Sequence, residues 1–242
     1  EALYDSAALR AFAGIDLGRE PVPDATTILK FRHLLERHHL GQAIFAEVGR
    51  ILQERGLRLS AGTIVDATII AAPSSTKNAQ QQRDPEMKQT RKGKQWHFGM
   101  KLHVGADSKS GLVHSAVVTS ANVHDKHPLP ELLHGAERRV YGDRGYQGCG
   151  EIIKAAAPQA RDFTNRRVRQ PWGEDEAERR RNRTKSRTRA RVEHAFHVLK
   201  RLWGFAKVRY RGLAKNANRA FTALAMVNLY MAARRVPALV RP

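Results

Sequence analysis

Between Arg189 and Lys200 the chain reads Arg-Ala-Arg-Val-Glu-His-Ala-Phe-His-Val-Leu-Lys, so that one carboxylate, Glu193, stands between two cations. At about 100° per residue, a helix places Glu193 roughly 40° around from Arg189, with Lys200 falling between the two. Val192, Ala195, Phe196, Leu199, Leu202 and Trp203 occupy the adjacent face, which suits burial. An acid at the border of a packed face and a cationic face suits metal binding beside a phosphate backbone. Taken alone, an exposed Glu paired with the Arg four residues before it explains the same pattern.

Two other acids have informative surroundings. Asp66 interrupts the β-branched run Thr63-Ile-Val-Asp66-Ala-Thr-Ile-Ile70, where a buried carboxylate is costly unless it is paired or bound to metal. Asp143 opens Gly142-Asp143-Arg-Gly-Tyr-Gln-Gly148, whose glycines allow close approach of a ligand or a second backbone. Each has a plainer reading: a strand acid bonded to backbone, and a loop acid capping the next helix. If their two strands are adjacent and parallel, with the Glu193 helix laid over them, the three carboxylates converge and call for divalent cations. Mg²⁺ takes such oxygen ligands and keeps positions for water and phosphate. Two ions about 4 Å apart would stabilise both attacking and leaving oxygens in a phosphoryl transfer.

The elements that must position these acids follow from periodicity. The first sixty residues read as helical, with Asp24 as an N-cap, apolar positions Ile28, Phe31, Leu34 and Leu35, and a second helix through Ile44, Phe45, Val48, Ile51 and Leu52. Residues 1–60 are therefore expected to form a helical segment with a DNA-binding or assembly role, and residues 61–242 a catalytic domain. Ser74 to Gln95 reads as a long mobile loop. Phe98, Met100, Leu102, Val104 and Ala106 alternate with Gly99, Lys101, His103 and Gly105 as a half-buried strand, and Leu112 to Thr119 returns as its antiparallel partner. A strand from Arg139 to Asp143, a helix near Ile152, a weak strand near Phe163, the Glu193 helix and a final apolar helix complete a mixed α/β order.

Charge narrows the partner. The net charge is +20, and eight of the thirteen residues from Arg179 to Arg191 are Arg or Lys. An excess of this size signals a polyanion, with nucleic acid the leading candidate. Hydrophobic content of 41% is enough for a core, and no apolar run approaches the ~18 residues of a membrane span. The single Cys149 excludes an internal disulfide framework. Gly93-Lys94 is followed by Gln95, so there is no phosphate loop, and no zinc motif accompanies the histidines. Trp96, Trp172 and Trp203 are read as packing residues more readily than as base-stacking platforms.

Taken together, Thr63-Ile-Val-Asp66-Ala-Thr, Gly142-Asp143-Arg-Gly-Tyr146 and Arg189-x3-Glu193-x6-Lys200 resemble the DDE motifs of bacterial insertion-sequence transposases, specifically the type 5 group. Arg83-Asp-Pro-Glu-Met-Lys-Gln-Thr, Trp96-His-Phe-Gly-Met-Lys101 and Ser120-Ala-Asn-Val-His-Asp125 add co-linear matches. The resemblance implies a ribonuclease-H-like mixed sheet flanked by helices, with Asp66, Asp143 and Glu193 as catalytic, metal-binding acids. It also implies a Mg²⁺ requirement, for which Mn²⁺ can substitute. Arg189 and Lys200 would contact DNA phosphates or orient the acid, joined in DNA binding by Arg144, Arg187, Arg191 and Lys101. The expected partner is double-stranded DNA, met by a homo-oligomer, a dimer by expectation, in the bacterial cytoplasm at the nucleoid, with no membrane involved. The group has Tyr where this chain has Ser186, and the chain is expected to be an N-terminally truncated copy. A metal-dependent nuclease and a non-catalytic DNA-binding remnant are the alternatives.

Overall fold

The computed structural model describes residues 1–57, 61–77, 79, 81–167 and 176–235. Two compact units divide the chain at Leu40. The first holds α1 (Ala2–Asp5), α2 (Ala7–Ala13) and α3 (Ala25–Arg37). Asp24 caps α3 as expected, its Oδ1 accepting the Thr27 backbone N–H at 2.7 Å. None of these three helices buries a side chain, and the apolar row Ile28, Phe31 and Leu34 is exposed.

In the second unit, packing begins before residue 60. Helix α4 (Leu40–Glu54) sends Phe45, Val48 and Leu52 into the main core, with Phe45 tilted against Phe221 at 5.8 Å between ring centroids. Gly41 makes this approach possible: a Cβ there would stand 2.5 Å from the Asn218 carbonyl oxygen. The Gly41 N–H donates to the Asn218 side chain instead, at 2.9 Å.

The sheet is mixed, as expected. Its strands are β1 (Gly62–Ala71), β2 (Lys88–Lys92), β3 (Gln95–Asp107), β4 (Val113–Ser120), β5 (Arg139–Tyr141) and β6 (Arg161–Asp162). They run in the order β2-β3-β1-β5-β6, with β4 also paired to β3. β1 is antiparallel to β3 and parallel to β5, and β5 is parallel to β6. One face carries the larger core under α4, α6 (Glu176–His197) and α7 (Leu213–Ala233). The opposite face carries a smaller core of Val65, Val140, Tyr146, Cys149 and Ile153, covered by a 3₁₀ turn at Leu129–Leu132 and by α5 (Gly150–Ala156).

Three expectations need correction. Residues 88–92, read as part of a loop, form the edge strand β2; its side chains are polar and mostly exposed, so no apolar alternation marks it. β3 is buried on both faces along its second half, not on one, because the smaller core covers His103 and Gly105. The Glu193 helix also does not continue as a regular α-helix through Lys200. It ends at His197 and passes into a π-helical turn, Val198–Leu202, which widens the spiral and leaves Leu202 exposed.

A buried clamp ties α7 to the sheet. Asn228 accepts the Val113 N–H at 2.9 Å and donates to the Val113 carbonyl at 2.7 Å, satisfying both backbone groups of the first β4 residue. Asn228→Leu keeps the volume but strands both. It should lower stability by roughly 1–3 kcal/mol for each stranded group, read as a shifted denaturation midpoint.

Candidate active site

Sheet register brings the first two acids together. Gly62, Thr63 and Ile64 pair with Arg139, Val140 and Tyr141. Continuing that register by two residues sets Asp66 opposite Asp143, each on the face that Ile64 and Tyr141 turn toward the larger core. Asp66 lies within β1 and is buried; Asp143 lies just past β5, where the strand opens into the glycine-rich turn. There its Oδ1 accepts the Gly145 N–H at 2.8 Å and caps a short 3₁₀ turn, so the plainer capping reading describes part of what Asp143 does.

Helix α6 delivers the third acid and is fastened at several points. Asn182 exchanges two hydrogen bonds with the Arg166 backbone, Lys185 donates to the Thr164 carbonyl at 3.0 Å, and Arg191 donates to the Ser108 carbonyl at 2.6 Å. Ser186, standing where the resembling group has Tyr, accepts from the Asn165 side chain at 3.0 Å. Val192, Ala195 and Phe196 face the core, which turns Arg189 and Glu193 toward β1.

The resulting cleft, about 470 Å³, is lined by Asp66, Asp143, Glu193, Arg189, Lys200, Lys92 and His197 among others. One nitrogen of Arg189, Nη1, donates to Asp66 Oδ2 at 2.5 Å and to Glu193 Oε1 at 3.1 Å. The plain reading of the Arg189–Glu193 pair is therefore incomplete: the same guanidinium also bridges to a strand 123 residues away in sequence. Lys200 lines the cleft with its ammonium 2.7 Å from the Ile69 carbonyl oxygen. Burial lowers its pKa below the ordinary lysine range, Lys92 adds to that effect, and Glu193 opposes it.

The other expected DNA contacts divide in two. Arg144 and Arg187 are exposed, and Arg191 is exposed with its guanidinium on the Ser108 carbonyl. Lys101 is committed inward, to the Val123 carbonyl at 2.8 Å and Asp125 at 2.9 Å. Lys92, within the cationic stretch Lys88 to Lys101 expected to meet DNA, and His197, for which a surface or DNA-contact role is expected, also line the cleft, although neither stands out from sequence as a site residue. Trp96 is exposed beside the β2–β3 turn, not packed, whereas Trp203 packs edge-on against Tyr230. Trp172 lies outside the described residues.

Electrostatics give Asp66 its character. Burial raises its pKa from 3.8 to about 6; Arg189 and the Ala67 N–H oppose the rise, and the charges of Asp143 and Glu193 add to it. No group of three or more His, Cys, Asp or Glu among the described residues is arranged as a ready-made metal site. The Arg189 guanidinium is interposed between two of the acids and supplies positive charge there itself. The donor chemistry nonetheless fits a hard cation: three carboxylates, no thiolate, in one open cleft.

A carboxyl whose folded-state pKa is raised binds its proton more tightly when folded, so stability is lost as pH rises from about 4 through about 6. In chelator, Asp66→Asn should match the wild type below that window and be the more stable above it. The expected gain is up to roughly 3 kcal/mol, from about two pKa units at 1.36 kcal/mol each. Equal thermal midpoints at pH 8 would refute it.

Compared with known proteins, residues 58–229 match a family model described as the transposase DDE domain. No solved structure matches the chain significantly. No helix among the described residues is long and apolar enough to cross a membrane.

Proposed function

The chain belongs to the transposase DDE domain family, and from that premise we propose that it nicks DNA at the ends of an insertion sequence and joins the freed 3′-OH to target DNA. The observation that carries this reading is the convergence of Asp66, Asp143 and Glu193 on one cationic cleft from two parallel strands and a helix. The proposed fold is ribonuclease-H-like, and the proposed relatives are the insertion-sequence type 5 group, working in the bacterial cytoplasm at the nucleoid.

In the first step water adds to a phosphodiester phosphorus, and the 3′ oxygen leaves with a proton. In the second, that 3′-OH attacks a target phosphodiester in the same in-line manner, forming a new P–O bond as the target's own 3′ oxygen leaves with the proton. No protein nucleophile is needed, so positioning and charge stabilisation carry the catalysis. Asp66, Asp143 and Glu193 would hold two Mg²⁺ ions, or Mn²⁺ in their place, which when bound supply charge stabilisation to the attacking and leaving oxygens. Arg189 holds the strand acid and the helix acid in mutual register. Lys92 and Lys200 keep one wall of the cleft cationic for a phosphate backbone, and Arg144, Arg187 and Arg191 extend that surface. Residues 1–60 would serve DNA binding or assembly, and a dimer would hold the two element ends.

The test is nicking and joining of DNA that carries the element ends, in Mg²⁺ and in chelator. Nicking without joining would favour a nuclease, and binding without either step a DNA-binding remnant.

A further inference from the structure

The motif Ser120-Ala-Asn-Val-His-Asp125 has no part in the chemistry above, yet its last residue comes close to it. Asp125 sits in the turn after β4, half-buried, and Lys101 holds its Oδ1 at 2.9 Å while also bonding the Val123 carbonyl. Its other oxygen faces the glycine-rich turn. A Cβ placed on Gly145 would lie 2.9 Å from Asp143 Oδ1 and 3.8 Å from Asp125 Oδ2. The two carboxylates therefore flank one glycine, and a side chain at that position would wedge between them.

Two buried polar atoms in this part of the fold have no hydrogen-bond partner. The Tyr146 ring is packed in the smaller core at 1% exposure, yet its hydroxyl has no hydrogen-bond partner. Burial first, and the charges of Asp125, Asp66 and Asp143 after it, raise the pKa of that hydroxyl, so it stays protonated and able to donate. His103, fully buried, bonds Thr119 through Nε2 at 2.9 Å, while its Nδ1 stands 3.7 Å from Asp125 Oδ1 without a partner. Thr119 also donates to the Ser120 carbonyl at 3.1 Å.

We propose that Asp125 is a positioning residue of this cleft: anchored by Lys101 and set across Gly145 from Asp143, it fixes the turn that carries the Asp143 carboxylate, with the uncommitted Tyr146 hydroxyl as a donor to that turn's acids when a divalent cation is bound, and so raises the affinity for that cation. The inference rests on the transposase reading. Outer groups of this kind typically change metal affinity by about 10–100-fold when removed.

The experiment titrates Mn²⁺ into the DNA-free full chain by calorimetry and, in parallel, measures the Mg²⁺ concentration for half-maximal nicking. Asp125→Asn should weaken Mn²⁺ binding by about tenfold or more and raise the Mg²⁺ requirement to match, with nicking largely recovered at saturating Mg²⁺. Asp125→Glu should retain most of the affinity. Tyr146→Phe, which keeps the ring, should weaken Mn²⁺ in the same direction. The double variant Asp125→Asn with Lys101→Met separates the carboxylate from the lysine it leaves unpaired. Persistent weak binding supports the proposal, whereas restored binding overturns it, because the loss then came from the stranded lysine. Should Asp125→Asn fail to fold, wild-type Mn²⁺ affinity in Tyr146→Phe would still overturn it. A wild-type chain that neither binds Mn²⁺ nor nicks would overturn the transposase reading and this inference with it. A wild-type chain that does both, beside an unchanged Asp125→Asn, overturns this inference alone.

Discussion

Asp66→Asn and Asp143→Asn should each reduce nicking and joining by at least on the order of 10²–10³ while leaving DNA affinity largely intact, the scale seen when one transition-state-stabilising group is removed. The two positions face each other across the β1–β5 register and contribute oxygen to one cleft, so neither can stand in for the other. Asp66→Asn is the cleaner probe, since it should be inactive and, above pH 6, more stable in chelator than the wild type. Loss of activity together with gained stability separates chemistry from folding in one variant. Parallel loss of binding and activity would instead mark these acids as structural.

DNA affinity should fall by on the order of 10³–10⁵ between about 50 and 200 mM salt, the expected counterion release for about six to ten phosphate contacts. The structure divides the basic tract into free and committed charges. Arg183 and Arg187 are exposed along α6, whereas Lys185 is bonded to the Thr164 carbonyl and is 15% exposed at its side chain. Replacing an exposed arginine that contacts phosphate should reduce the salt slope by about 1. Lys185→Met should leave the slope unchanged, because its ammonium already serves the protein. Affinity that hardly responds to salt would point away from a phosphate-tracking surface.

Much of this site could be read before any fold was known, and the reasons are local. Asp66 announced itself because a carboxylate among β-branched residues is costly, and Glu193 because helical spacing fixes its neighbours on the same turn. What stayed hidden depends on contacts between distant segments. The π-helical turn at Val198–Leu202 and the bond from Lys200 to the Ile69 carbonyl require knowing where β1 passes. The inward commitment of Lys101 needs the turn that presents Asp125, 24 residues on. Strand β2 escaped because an edge strand with polar, exposed side chains lacks the apolar alternation that identifies the others. Helix α4 was read as amphipathic, but periodicity shows that a face is buried and not what it is buried against, which here is the main core.

The one-to-one register between β1 and β5 also bears on how a gene copy dies. Side chains alternate faces with a period of two, so losing a single codon between Gly62 and Asp66 would turn the carboxylate toward the Val65 side of the sheet. The reading frame downstream of a three-base deletion would survive, every acid would still be encoded, and the cleft would hold one fewer. Inventories of acidic codons would count such a copy as intact. A codon lost at the exposed β2–β3 turn, at Gly93 or Lys94, leaves the faces of β1 untouched and so spares the pairing that decides whether the copy can still move.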